Sequence, residues 1–317
     1  MKYDVVAVSW PAVDVTVPVE NLPVLPGETQ IAASMTPEPG AVGNFLIVAS
    51  RLGLRVSPIG VIGDDSFGNF LANTYRREGI DTSQLIMAPY VATPTVIVLA
   101  DGSGQHSFIS TAQYQVASFL DTWKQAITDC RSLMVSGYLL MSPEPTPDIT
   151  LDIARFARSH GVPVFFDPGP MIASMPKGKL EELISLSTTV IANIDEAEML
   201  TATRDPELAT ERLFGPGHEY IVVKLGPDGC VVGDGANCTH FPGFSVPTRD
   251  TTGAGDSFAA AFMYGYLSGW SIKDTVTLAN ATGAAKARKF GSGTKVPTVQ
   301  EIRGILAGSA VAAPVLI

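Results

Sequence analysis

An α/β fold is predicted, with a mainly parallel central sheet, helices on both of its faces and a small β-sheet at one end. Three observations predict it. Short apolar or β-branched runs alternate with helical patterns for most of the 317 residues. Those runs are apolar at nearly every position, as strands of a parallel sheet buried on both faces must be. Two stretches of short alternating strands break the rhythm, and helix–strand units separate them in sequence.

The elements follow in order. YDVVAV at Tyr3–Val8 is a short buried strand. Val13–Met35 is the first interruption. Asn44–Leu52 is helical in pattern and ends at Gly53, Arg55–Ile62 is strand-like, and Ser66–Glu78 is a helix closed by Gly79. Thr93–Ile109 is the second interruption, with Asp101 and Gly102 as a hairpin turn signal. Arg131–Ser136 returns to strand. The helix around Pro147–His160 has Pro147 near its start and Gly161 just past its end. Val162–Phe166, Thr188–Ala192 and Tyr220–Lys224 are strands, and the helical stretches Ala254–Leu267 and Ile272–Phe290 close the pattern. The two interruptions read either as edge hairpins or as a lid over one end of the sheet. The lid boundaries fall at about 13–36 and 92–110, inserted in a single domain covering 1–317. No internal repeat is present.

Composition narrows the function. Lys plus Arg is 21 and Asp plus Glu is 31, a formal net charge of −10, and apolar residues make up 46%. Such a chain is not disordered, and an acidic balance argues against a nucleic-acid partner. No run of about 18 apolar residues spans a membrane. The apolar tail Ile305–Ile317 is short and broken by Pro314. MKYDVVAVSW lacks a secretory pattern. Cys130, Cys230 and Cys238 have no metal-ligand spacing and read as buried thiols of a cytoplasmic protein. An anionic ligand would have to be held by local groups.

The stretch DTTGAGDSF, Asp250–Phe258, supplies such groups. Gly253, Ala254 and Gly255 are small residues at a helix N-terminus, where amides lack intrahelical partners and the helix dipole is positive. That makes an anion hole. Asp256 in the same turn is out of place beside an anion unless a base is needed there; otherwise it is an acidic first-turn residue. Asn193 and Glu196 follow the strand TTVIA, where ligands bind in open α/β sheets, but they also have capping-box spacing. Lys224, Gly226 and Gly229 follow another strand end, as a nucleotide loop or as a surface turn.

DTTGAGDSF closely resembles the C-terminal signature of the ribokinase-like (PfkB) carbohydrate kinase family, and further motifs appear in the family's order. Asp14 in SWPAVDV matches a sugar-binding Asp, with Ser9 where the family has Gly. Pro39–Asn44 resembles Gly-Gly-x-x-x-Asn, with Pro39 in place of the first Gly. Gly60–Gly68, Asn193–Glu196 and Lys224–Gly229 match the family's G-x-x-G-x-D-x-x-G, N-x-x-E and nucleotide loop. The resemblance covers nearly the whole chain.

It implies a ribokinase-like three-layer α/β/α sandwich and an ATP-dependent kinase acting on a hydroxyl of a small sugar-like substrate. Asp256 would be the base, and the amides of Gly253, Ala254 and Gly255 would stabilise the transferred phosphoryl group. Glu196 would hold Mg²⁺ through water. Asn193, Lys224, Gly226, Gly229 and Asn280 would bind the nucleotide, and Asp14, Gly40 and Asn44 the substrate. Asp250, Thr252 and the loop Phe290–Lys295 would bind K⁺, and the lid could pair across a homodimer. A nucleoside kinase is the nearest rival, with Phe108, Tyr114 and Tyr138 as an aromatic platform. Asp167-Pro168-Gly169-Pro170-Met171 replaces the Asp-Pro-Asn-x-Arg of many sugar kinases, which counts against fructose-like and keto-sugar-acid substrates. His106 lies in the lid and reads as a surface or loop residue, with contact to a substrate as the alternative. A non-catalytic ligand sensor is a rival of another class. A dinucleotide oxidoreductase or P-loop enzyme is disfavoured because G-x-G-x-x-G and G-x-x-x-x-G-K-[ST] are absent.

Overall fold

The structure is a computed structural model that describes residues 1–102, 105–111 and 116–307. Tyr114 and the chain beyond residue 307, with Pro314, lie outside the described residues. Among the described residues, the strands are β1 (Tyr3–Val8), β2 (Val13–Pro18), β3 (Thr36–Pro39), β4 (Val56–Gly63), β5 (Leu85–Ala88), β6 (Thr95–Ala100) and β7 (His106–Ser110). They continue with β8 (Cys130–Ser136), β9 (Val164–Asp167), β10 (Thr189–Asn193), β11 (Tyr220–Lys224), β12 (Cys230–Gly233) and β13 (Cys238–Phe241).

The large sheet runs β13-β12-β11-β10-β9-β8-β1-β4-β5. It is parallel from β5 to β11, and β12 and β13 extend it antiparallel. Apolarity at every position has a direct cause. Val5 and Ala7 enter the core on one face with Phe45, Leu46 and Phe262, while Val6 and Val8 enter the core on the other with Trp123 and Leu183. Phe165 and Phe166 divide the same way, as do Val222 and Ile221. Two cores, one on each face, make the three-layer sandwich.

The two interruptions form a separate small sheet in the order β3-β2-β6-β7. β2 and β6 pair in parallel, with Val13 opposite Thr95 and Val17 opposite Leu99, and this joins the two excursions. The first is strand only at its two ends: the chain between Pro18 and Thr36 is irregular. The G-x-x-G-x-D-x-x-G motif sits at the entrance to this sheet. Asp65 caps the helix Ser66–Arg77 by accepting from Gly68 N (2.7 Å), and it also accepts from Thr93 N (2.9 Å) and Thr93 Oγ1 (2.8 Å). A Cβ on Gly68 would collide with the Gly63 carbonyl. The motif therefore ties the end of β4 to the segment that leads into β6.

The expected helix Ile272–Phe290 stops at Ala287. Beyond it the chain folds back so that Gly291 N donates to Asp250 Oδ2 at 2.8 Å. β5, β12, β13 and the helices Asp121–Thr128, Lys177–Leu186, Pro206–Leu213 and Val299–Ala307 are additions to the sequence expectation. They are short, and edge strands such as β13 expose residues that a buried strand would not. No helix among the described residues is long and apolar enough to cross a membrane. All three cysteines are free; Cys130 and Cys230 are buried as expected, whereas Cys238, on the edge strand β13, is only half-buried.

Asp65→Ala removes a helix cap and both anchors to Thr93. It should lower stability by about 2 kcal/mol in urea unfolding, whereas Asp64→Ala next to it should cost less than about 0.5 kcal/mol.

Candidate active site

β9, β10 and β11 end at Asp167, Asn193 and Lys224, so three polar side chains meet at the carboxyl edge of the parallel sheet. This is the edge at which open α/β sheets bind ligands. The helix Ala254–Leu267 begins beside it. Gly253 precedes that helix at φ 77°, a conformation that glycine adopts freely. No side chain caps this helix. Ala254 N turns back to Thr251 O (3.0 Å).

Asp256 lies in the first helical turn. Asn44 Nδ2 donates to its Oδ2 at 3.0 Å, and Asn44 Oδ1 accepts from Gly293 N at 2.7 Å. The Asn44 amide group holds Asp256 against the loop near residue 293. It is not a helix cap: the helix Val42–Arg51 starts after Ala41, without a side-chain bond.

Lys224 reaches across the helix terminus. A Cβ on Gly255 would stand 3.1 Å from Lys224 Nζ. The same ammonium lies 3.3 Å from Asp167 Oδ2. Burial works against its charge, but Asp167, Glu196 and Asp256 outweigh that and raise its pKa. Asp167 was not among the expected site residues. It is one carboxyl-terminal position of β9, in the stretch that departs from the sugar-kinase pattern.

The carboxylates share too little positive charge. Burial, with Asp256 nearby, pushes Asp14 up to about 7. Burial, with Asp167, pushes Asp256 up to about 6, although Asn44 and Lys224 oppose this. Glu196 is 4% exposed, and burial raises it to about 7 against the pull of Lys224. Tyr138 is raised by burial and then by the charges of Asp256, Asp167, Glu196 and Asp14. Its ring stacks on Trp10 with centroids 5.7 Å apart, and Trp10 Nε1 donates to Ser142 Oγ. The expected platform residue Phe108 is exposed on β7 and stacks on His106 instead.

Both readings of the Asn193–Glu196 pair are compatible with the geometry. Glu196 N donates to Asn193 Oδ1 (2.8 Å) and Asn193 N donates to Glu196 Oε2 (2.7 Å), a complete capping box. Asn193 also lines a cleft of about 340 Å³ with Lys224, Gly226, Gly229, Gly255 and Asn280. Phe244, Val246 and Thr248 form a further wall that sequence reasoning missed, because they lie in an irregular segment with no periodicity. Gly226, at φ 61°, has open space where a Cβ would stand. Gly229 has a packing reason: a Cβ there would collide with Phe241 O and stand 2.5 Å from Gly243 N. Asn280 Nδ2 donates to Pro242 O at 3.2 Å. Gly40 passes directly over Asp14, and any Cβ there would collide with the Asp14 carboxylate.

Asp250 supports the loop from behind. Its Oδ1 accepts from Thr252 N (2.9 Å) and its Oδ2 from Gly291 N (2.8 Å). The Lys286 ammonium is 4.0 Å from Asp250 Oδ2 and donates to Asp250 O at 3.2 Å.

The family described as pfkB family carbohydrate kinase matches residues 3–299. A nucleoside kinase from Methanothermobacter thermautotrophicus is 28% identical over 304 residues, 94% of each chain. The Arabidopsis thaliana ribokinase complexed with ribose and ATP superposes with a TM-score of 0.85 at 22% identity, covering 98% of this chain and 100% of that one. An Escherichia coli protein described as a possible second ribokinase, in complex with ATP and Mg²⁺, gives a TM-score of 0.82 at 21% identity over 96% and 99%.

The raised carboxyl of Asp256 has a stability consequence. Its folded pKa of about 6 exceeds the unfolded value of about 3.9, so the folded state holds the proton more tightly between those values and loses stability as pH rises through them. Asp256→Asn should therefore be more stable than the parent above pH 6, by about 1–2 kcal/mol, with the difference gone below about pH 4. Urea unfolding across pH measures this.

Proposed function

The chain belongs to the pfkB family of carbohydrate kinases, and on that premise we propose that it transfers the γ-phosphoryl group of ATP to a hydroxyl of a small sugar. The observation that carries the proposal is the pairing of an uncapped helix N-terminus with a carboxylate of raised pKa in its first turn. One part suits the charge of a phosphoryl group in flight, and the other suits the proton of the attacking hydroxyl.

The acceptor hydroxyl attacks the γ-phosphorus in line. A new O–P bond forms, the bond to the β,γ-bridging oxygen breaks, ADP leaves and the hydroxyl proton passes to Asp256. Asn44 holds the Asp256 carboxylate in place through the 3.0 Å bond. The amides of Gly253 and Gly255, with Lys224 above Gly255, stabilise charge on the transferred group, whereas Ala254 N is already given to Thr251 O. Asp14 and Gly40 orient the sugar. The cleft at Asn193, Gly226, Gly229 and Asn280 takes the nucleotide.

Mg²⁺ fits the residues present through water: Asp167, Glu196 and Asp256 outnumber the single Lys224 ammonium they act on, and Glu196 is held well above its usual range, while no three metal-ligating side chains converge among the described residues. Glu196 would hold it through water, where it would neutralise phosphate charge. The small sheet acts as a lid, inserted at about 13–36 and 92–110 in one domain, and its closure excludes water that would otherwise accept the phosphoryl group.

A nucleoside is the second reading, favoured by one observation: the Trp10–Tyr138 stack offers an aromatic wall beside the carboxylate cluster. ADP release with Mg²⁺-ATP, measured against panels of sugars and nucleosides, separates the two. Turnover of no acceptor would leave only a ligand sensor. Asp256→Asn should lower kcat by about a thousandfold, and activity equal to the parent would refute the assigned base. Because the base must be ionised, kcat/KM should rise with pH through about 6 and then level off.

A further inference from the structure

Lys286 is fully buried, at 0% exposure, in the last turn of the helix Ile272–Ala287. Desolvation makes a buried ammonium costly unless oxygen atoms replace its water. Here they do. Lys286 Nζ donates to Asp250 O at 3.2 Å and to Lys289 O at 3.1 Å, and Asp250 Oδ2 stands 4.0 Å away. Two main-chain carbonyls and a carboxylate are the kind of oxygen ligands that a potassium ion takes.

The location gives this cation a task. Asp250 opens the loop that ends in the Gly253–Gly255 helix terminus, and its carboxylate bridges Thr252 N and Gly291 N. Two residues further on, Gly293 N donates to Asn44 Oδ1, and Asn44 Nδ2 donates to Asp256. A chain of contacts thus runs from Lys286 through Asp250, the Gly291–Gly293 backbone and Asn44 to Asp256. A free cation at Asp250 and Thr252 would meet the ammonium at close range and be repelled by it.

We propose that the Lys286 ammonium occupies the place expected for a K⁺ ion, so that the loop bearing the anion hole carries its own tethered cation and needs no monovalent ion. Lys286 is a positioning residue: it acts through Asp250 on the loop and touches no reacting atom. The proposal departs from the K⁺ expectation at Asp250, Thr252 and Phe290–Lys295. It rests on the kinase reading only where turnover is measured.

The test compares KCl with tetramethylammonium chloride at equal ionic strength. Three quantities are read: the thermal unfolding midpoint, the affinity for Mg²⁺-ADP by calorimetry, and kcat. A site already filled gives no linkage to added ion, so the parent protein should show the same midpoint, and affinity and kcat within about twofold, in both salts. Lys286→Ala opens space beside the Asp250 carboxylate. Its kcat should fall by about tenfold or more in tetramethylammonium with the acceptor KM little changed, and K⁺ or NH₄⁺ should restore much of it and raise the midpoint. Lys286→Met fills the space without charge and should stay impaired in every salt. A parent whose midpoint and ADP affinity rise with K⁺ would overturn the proposal. So would a Lys286→Met variant equal to the parent in kcat and ADP affinity. If Lys286→Ala does not fold, the parent and the Met variant decide. If the parent turns over no acceptor, the kinase reading fails, while the midpoint and ADP affinity still decide the role of Lys286.

Discussion

The helix Ala254–Leu267 begins with its first amides unclaimed by any side chain, and the surrounding architecture keeps that end open. Helix termini are ordinarily capped by Ser, Thr, Asp or Asn. Here the position is Gly253, in a left-handed conformation, and its neighbours support the turn without filling it. Asn44 is close enough that a Cβ on Gly253 would stand 3.0 Å from its Cγ. Asp250 takes Thr252 N and Gly291 N from the rear. The helix itself is fixed by burial of Phe258, Phe262 and Met263 in the core on one face of the sheet. Partial positive charge is thus aimed at the carboxyl edge of β9, β10 and β11 by packing forces that act far from it.

This arrangement answers a difficulty raised by composition. A chain of net charge −10 offers an anion no favourable long-range field. Its site is locally acidic as well, since Asp14, Asp167, Glu196 and Asp256 all act on Tyr138. Burial, with mutual repulsion added, raises three of them above the usual carboxylate range. Against that stand the amide dipoles, Lys224 and, behind the loop, Lys286. The excess of carboxylates is what a divalent cation would neutralise, and a base with a pKa near 6 is ionised at neutral pH yet still able to take a proton. The same burial and repulsion cost stability, a common trade at catalytic sites.

Much of the fold was legible because its signal is local. Apolar runs marked β1, β4 and β8–β11, and glycines closed the helices at Gly53, Gly79 and Gly161. The helix terminus at Gly253–Gly255 was legible for the same reason. What escaped depends on distance along the chain. Asn44 meets residues 212 and 249 positions away, so nothing near it shows that its amide is committed twice. Lys286 looks like the charged end of a helix in GAAKARK, and nothing near it shows its contact with Asp250, 36 residues earlier. Asp167 stood out only as a departure from a pattern, until β9 and β11 brought it to Lys224. The first interruption reads as short alternating strands with turns, whereas the structure has no strand between Pro18 and Thr36.

The central claim is that this acidic chain holds a nucleotide by local groups and not by its overall field. Calorimetric affinity for ATP, measured over a range of salt concentrations with and without Mg²⁺, tests it most directly. The account predicts an affinity that changes by less than about threefold with salt, since dipoles and buried charges are poorly screened, and that falls sharply when Mg²⁺ is withdrawn. A steep loss of affinity with salt and indifference to Mg²⁺ would contradict it.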